Sequence, residues 1–170
     1  MLVPQTDRVP HTVSLELSID MPVPAERVWE AITNWTTQGQ WMLGTRVWVS
    51  AGDGRSEGSE VSAFTGVGRL GFLDTMTITR WQPPNRCEVL HTGRVVRGTG
   101  WMATAPRAAS PAGPGRTGSG EGCVFVWGES LELPLGWLGR LGWVVVGPLM
   151  KAGVRASLKR FRATLQPQRD

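Results

Sequence analysis

The sequence predicts an α+β domain: a sheet of about seven strands followed by one long C-terminal helix. Three observations carry that prediction. Apolar residues alternate with polar ones in successive short runs through most of the chain, as in half-buried strands. Turn-forming residues separate those runs. Near the C-terminus the apolar period changes to three and four, as in a helix lying on a surface. A length of 170 residues suits one domain with a substantial core. That domain is expected over residues 12–166, after a polar lead over 1–11 and before a tail over 167–170.

In "HTVSLELSID", Val13, Leu15, Leu17 and Ile19 alternate with Thr12, Ser14, Glu16 and Ser18, which predicts the first strand. "PVPAERVWEAITNW" then places Val28, Trp29, Ile32 and Trp35 at helical spacing, with Pro24 near the first turn, where a missing N–H costs little. "TTQGQ" and "WMLG" allow a second short helix. "TRVWVS" is the next strand, and "AGDGRSEG" reads as a hairpin loop. Strands follow in "SEVSAFTGV", "FLDTMTITRW", "RCEVLHTG", "VVRGTGWMATA" and "CVFVWGESLEL", with "QPPN" as one turn. Between the last two, residues 106–121 are rich in Pro, Gly, Ser and Ala and have little to bury, so a mobile loop insertion is expected. From Pro134 to about Leu165 the pattern is helical. Val154, Leu158, Phe161 and Leu165 form its stripe, while the glycines and the "GP" at 147 and 148 leave an unbroken rod in question.

Composition narrows the function. Apolar residues make up 41% and charged residues 19%, the profile of a folded protein rather than a disordered one. The net charge of +4 gathers partly at Lys151, Arg155, Lys159, Arg160 and Arg162. Such a cluster reads as a solvated helix face, without the dense basic stripe and motif of a nucleic-acid domain, and no nucleic-acid partner is expected. An interaction module acting through this basic helix on acidic partners is kept as a minor class. Cys87 and Cys123 are too few for a disulfide framework, and the N-terminus lacks a signal-peptide pattern, so a cytoplasmic location is expected. His11, His91 and the two cysteines fall at no chelating spacing, and neither metal nor cofactor is expected. "GVGRLG" matches G-x-G-x-x-G, but a strand pattern follows where the dinucleotide fingerprint needs a helix; a glycine-rich hairpin is the better account.

The most apolar stretch, "LGWLGRLGWVVVGPLM" from Leu135 to Met150, is shorter than the roughly 20 residues of a spanning helix and contains Arg140. Transient peripheral membrane contact stays open through its tryptophans. Glycines 136, 139, 142 and 147 leave grooves that either a neighbouring strand or a ligand fills.

The strand, "VPAERVWEAITNW", the tryptophan-rich turn, six further strands, the "VFVWGESLELP" strand end and the closing "RASLKRFRATL" together resemble the START/Bet v 1-like (SRPBCC) superfamily, specifically its bacterial polyketide cyclase/dehydrase and lipid transport branch. The resemblance implies a helix-grip fold: a curved antiparallel sheet wrapped around the long C-terminal helix, with two short helices after strand one and a cavity between sheet and helix. It also implies that the front half of the long helix and the two short helices rim that cavity. Its expected occupant is a hydrophobic small molecule, a lipid, isoprenoid or polyketide-like compound.

Nine tryptophans and four phenylalanines with no tyrosine offer large apolar surfaces and few hydroxyls. Strand alternation collects Phe125, Trp127 and Glu129 on one side of the last strand, and Cys87, Val89 and His91 on one side of an earlier one. The expected lining adds Trp41, Phe64, Phe72, Met76, Trp101, Leu141, Val145 and Leu149. Glu129 reads either as a general acid or base or as the partner of an arginine or of helix N–H groups. His91 reads either as a proton shuttle or as a hydrogen-bonded structural residue. Asp74 and Arg97 could equally face solvent. Two functions follow: carriage of a hydrophobic molecule, or a cyclase/dehydratase reaction in the same cavity with His91 or Glu129 moving protons. The absence of tyrosine weakens the second, and nothing in the sequence sets an oligomeric state.

Overall fold

The computed structural model describes residues 12–107, 122–133 and 137–166, with side chains in the last segment described from Gly142 onward. The elements run β1 (Thr12–Met21), α1 (Ala25–Ile32), a 3-10 helix (Trp35–Gln40), β2 (Thr45–Ala51), β3 (Glu60–Val67), β4 (Leu70–Gln82), β5 (Arg86–His91), β6 (Gly98–Pro106), β7 (Cys123–Glu132) and α2 (Trp137–Thr164). The seven strands make one curved antiparallel sheet in the order β1-β7-β6-β5-β4-β3-β2, gripping α2. Every chain-consecutive pair from β2 to β7 is adjacent. The two short helices after β1 carry the chain across to the far edge, where β2 starts.

Alternation sets which face is inside. On β1, Leu15, Leu17 and Met21 are buried while Thr12, Ser14, Glu16, Ser18 and Asp20 are exposed, and the strand pairs with β7 from Thr12↔Glu132 to Met21↔Cys123. "GVGRLG" is the β3–β4 hairpin. Val67 pairs with Leu70 around a two-residue turn, and Gly68 takes a φ of +61°, a conformation an L side chain resists. The loop between β2 and β3 is tied by Asp53, whose Oδ1 accepts from the Arg55 N–H and from the Ser56 and Ser59 hydroxyls. Those bonds, the Arg55 one foremost, hold its pKa below the ordinary carboxylate value. β6 begins at Gly98, so Val95 to Arg97 fall outside the strand expected to contain them.

One end of the grip is filled. Val28 and Ile32 of α1, Met21, Cys123, Phe125 and Phe161 have almost no exposure. The Phe125 and Phe161 rings meet edge to face at 6.0 Å, and Trp29 of α1 packs edge-on to Trp81 of β4 at 5.0 Å. On α2, Leu158 and Phe161 are buried, Val154 and Leu165 partly so, and Arg155, Lys159, Arg160 and Arg162 are exposed, as the sequence stripe predicts.

α2 runs unbroken through Gly147 and Pro148. Proline there removes one backbone hydrogen bond, but the turn is solvated and water can serve the freed Val144 carbonyl. Val144, Val145, Val146 and Leu149 are each more than half exposed. Three consecutive helical residues sweep roughly 200° of circumference, so no neighbour encloses this part of the helix. No helix among the described residues is long and apolar enough to cross a membrane. The N-terminal lead, the tail and nearly all of the 106–121 insertion lie outside the described residues.

Candidate functional site

Between the concave sheet face and α2 lies a cavity of about 340 Å³ with a predominantly apolar lining. This is within the usual range for small-molecule sites. The sheet supplies inward-facing residues of β2 to β7, the 3-10 helix and the turn after it supply Trp35, Gln38, Trp41 and Leu43, and α2 supplies Met150, Gly153, Val154, Ser157 and Leu158. Leu43 and Phe72, both on the lining, are 42% and 39% exposed, which locates the mouth. A hydrogen bond from the Leu43 N–H to the Ser157 hydroxyl, 3.1 Å, ties the turn to α2 beside it.

One polar cluster interrupts the apolar wall. His91 at the end of β5 stands between two carboxylates, with Nδ1 2.9 Å from Asp74 Oδ2 and Nε2 3.0 Å from Glu129 Oε2. The Trp127 indole donates to Glu129 Oε1 at 3.0 Å. All three members of the cluster are buried. Strand register makes the arrangement: β6 separates β5 from β7, and Gly100 lies in the row that joins Val89 to Glu129. A Cβ on Gly100 would fall 2.9 Å from Glu129 Oε2 and 3.1 Å from His91 Nε2, so glycine leaves the gap that the imidazole crosses.

Each ring nitrogen faces a carboxyl oxygen, so with both carboxylates ionised both nitrogens donate and the ring is an imidazolium. Burial by itself lowers the His91 pKa, but hydrogen bonds to Asp74 and Glu129 and their charges outweigh it and raise the value to about 9. His91 therefore holds its proton at neutral pH. Burial, with the Glu88 charge, pushes the Cys87 thiol up to about 12, so it is no nucleophile at neutral pH. Burial likewise raises Cys123. Among the described residues no set of His, Cys, Asp and Glu is arranged to hold a metal ion.

Of the residues expected on the lining, the structure brings Trp41, Phe72, Met76, His91, Trp101, Trp127 and Glu129 together around the cavity. Four others lie elsewhere. Phe64 is off by one residue: Ala63 and Thr65 face the cavity, so Phe64 points to the other side of β3, where the Arg46 guanidinium lies 5.4 Å from its ring. Phe125 has the right parity but sits at the filled end against Phe161. Val145 and Leu149 are 66% and 68% exposed, because among the described side chains α2 meets the cavity from Met150 onward. Among the described side chains, α2 thus contributes to the rim from its middle, and α1 packs at the filled end instead of on the rim. The Leu141 side chain lies outside the described residues.

Among the described residues Glu129 pairs with neither an arginine nor helix N–H groups; its partners are His91 and Trp127. Asp74, which by sequence could face solvent, is 9% exposed and belongs to the cluster. The signal for it is present in β4. Phe72 and Met76 belong to the expected lining, and Asp74 lies between them at the same parity.

Residues 12–166 match the family described as "Polyketide cyclase / dehydrase and lipid transport". An uncharacterized protein of Mycobacterium tuberculosis is 31% identical over 159 residues, covering 87% of this chain and 95% of that one. A crystal structure from Thermus thermophilus superposes with a TM-score of 0.70 at 18% identity, over 90% of this chain and 97% of the other. The Zhui aromatase/cyclase of a Streptomyces species superposes with a TM-score of 0.66 at 15% identity, over 91% and 94%. Likeness at these identities extends to the fold alone.

Proposed function

Since the chain belongs to the polyketide cyclase / dehydrase and lipid transport family, we propose that it binds or transports a hydrophobic small molecule, a lipid, isoprenoid or polyketide-like compound, in its internal cavity. The observation that carries this reading is the apolar void of about 340 Å³ bordered by Trp41, Trp101 and Trp127 and open at Leu43 and Phe72. Indole rings that border a space without filling it leave contacts unmade, and an apolar guest supplies them. The test is uptake of diphenylhexatriene, a purely apolar fluorophore, together with mass spectrometry of organic extracts of the purified protein. Saturable uptake at one probe per chain, or a stoichiometric co-purifying apolar compound, is expected. No uptake and an empty extract would sink the reading.

A second reading, a cyclase/dehydratase-type enzyme, has one specific support: the cavity holds a buried carboxylate–imidazolium–carboxylate cluster, and an aromatase/cyclase shares the fold. There the cavity would fold a reactive chain and supply rate by proximity, with a carboxylate accepting the proton, since both His91 N–H groups are engaged. Ring formation from a linear poly-β-ketone, lost in His91→Ala and Glu129→Ala while diphenylhexatriene uptake persists, would select this reading over carriage.

A further inference from the structure

The cluster of Asp74, His91 and Glu129 restricts the polar group that a guest can carry, an inference resting on the cavity-binding reading above. Its donors are spent. The two His91 N–H groups and the Trp127 indole N–H all point at carboxylate oxygens, and Asp and Glu carboxylates offer no hydrogen of their own. Its acceptors are in surplus: among the described residues four carboxylate oxygens receive three hydrogen bonds, and Asp74 Oδ1 is buried with no partner. A buried carboxylate oxygen without a donor is costly, the more so in apolar surroundings.

The charges point the same way. Two carboxylates against one imidazolium leave a net charge of −1 on a wall that is otherwise apolar. Gln38, another polar lining residue, donates its side-chain amide to the Ile32 carbonyl at 2.6 Å. Arg46 and Arg86 lie over the rings of Phe64 and Trp101, and Arg86 also pairs with Glu88 at 2.6 Å. None of these cations lines the cavity. A carboxylate guest would therefore enter a site of its own sign with no cation among the described residues to receive it; the unpartnered Trp41 indole N–H on the lining offers it one neutral donor.

We infer that the cavity selects apolar molecules carrying a hydrogen-bond-donating head, a hydroxyl or an ammonium, which docks on the Asp74–Glu129 carboxylates, and that it discriminates against free carboxylic acids of the same chain length. Matched probes decide this: dodecan-1-ol, dodecylammonium and dodecanoate, each displacing diphenylhexatriene from the full chain at pH 7. The alcohol and the ammonium are expected to displace it at concentrations at least tenfold below dodecanoate. Asp74→Asn, which removes the excess charge, is expected to narrow the gap between dodecylammonium and dodecanoate. If that variant does not fold, the ranking in the unaltered protein decides alone. Dodecanoate binding as well as or better than the other two, with diphenylhexatriene taken up normally, would overturn the donor-head inference and leave cavity binding standing. Failure of diphenylhexatriene and all three probes to bind would remove both.

Discussion

The two ends of the grip are built from the same sheet and the same helix, yet one is solid and the other hollow. At the solid end Phe125, Phe161, Met21 and Ile32 interdigitate with almost no exposure. At the hollow end α2 presents Gly153, whose missing Cβ would meet nothing within 4 Å. Trp41 marks the border, its ring 4.8 Å from Phe161 on one side and on the cavity lining on the other. The contrast teaches that the fold does not create the void by itself. Side-chain volume beneath the sheet, contributed by the strands, α1 and α2 together, decides whether that space is core or cavity, and stability and binding can reside at opposite ends.

Phe161→Ala should break the solid end and give the largest effect. It deletes a ring that touches both Phe125 and Trp41, and the expected loss is about 3–5 kcal/mol in urea unfolding. A loss below about 1 kcal/mol would mean that this end is not the main store of stability.

The hollow end has its own stabilising device, and pH tests it. The His91 pKa is raised in the folded protein to about 9 from an ordinary 6.5, so the cluster's contribution is fully present below pH 6.5 and fades as pH rises through 9. Stability should therefore fall by on the order of 3 kcal/mol between pH 6.5 and 9.5. The raised thiol of Cys87 adds to the fall only above its ordinary value of 9.0. A flat profile between pH 6.5 and 9 would remove the imidazolium from the account.

The smallest effect on stability and the clearest on binding should come from Gly153→Leu. Gly153 lies on the cavity lining, a Cβ built there has nothing within 4 Å, and leucine favours a helix over glycine by about 0.8 kcal/mol. Stability should stay level or rise by up to about 1 kcal/mol, while diphenylhexatriene uptake drops at least tenfold. Unchanged uptake would show that the probe binds elsewhere.

Much of the fold was legible because its signals are local. The period of two in "VSLELSID", the switch to helical spacing at "ERVWEAI" and the stripe of Val154, Leu158, Phe161 and Leu165 each follow from neighbouring residues. The site was legible only in part. Parity put Trp127, Glu129, Val89 and His91 on a shared face, and they lie there. Parity could not say how far along the grip a residue falls, which is why Phe125 landed in the core. Nor could helical periodicity reveal that α2 passes Val145 and Leu149 before it reaches the sheet.

By itself, then, the sequence determined the elements, their order, the one-sided strands and the presence of a lone imidazole and a carboxylate among aromatic rings. Only the tertiary structure decided that Asp74 and Glu129, 17 and 38 residues from His91, close on the same ring. The reason is geometric. Strand register across β4, β5, β6 and β7 sets those distances, and register comes from the whole sheet wrapping its helix, a property no short window of residues contains.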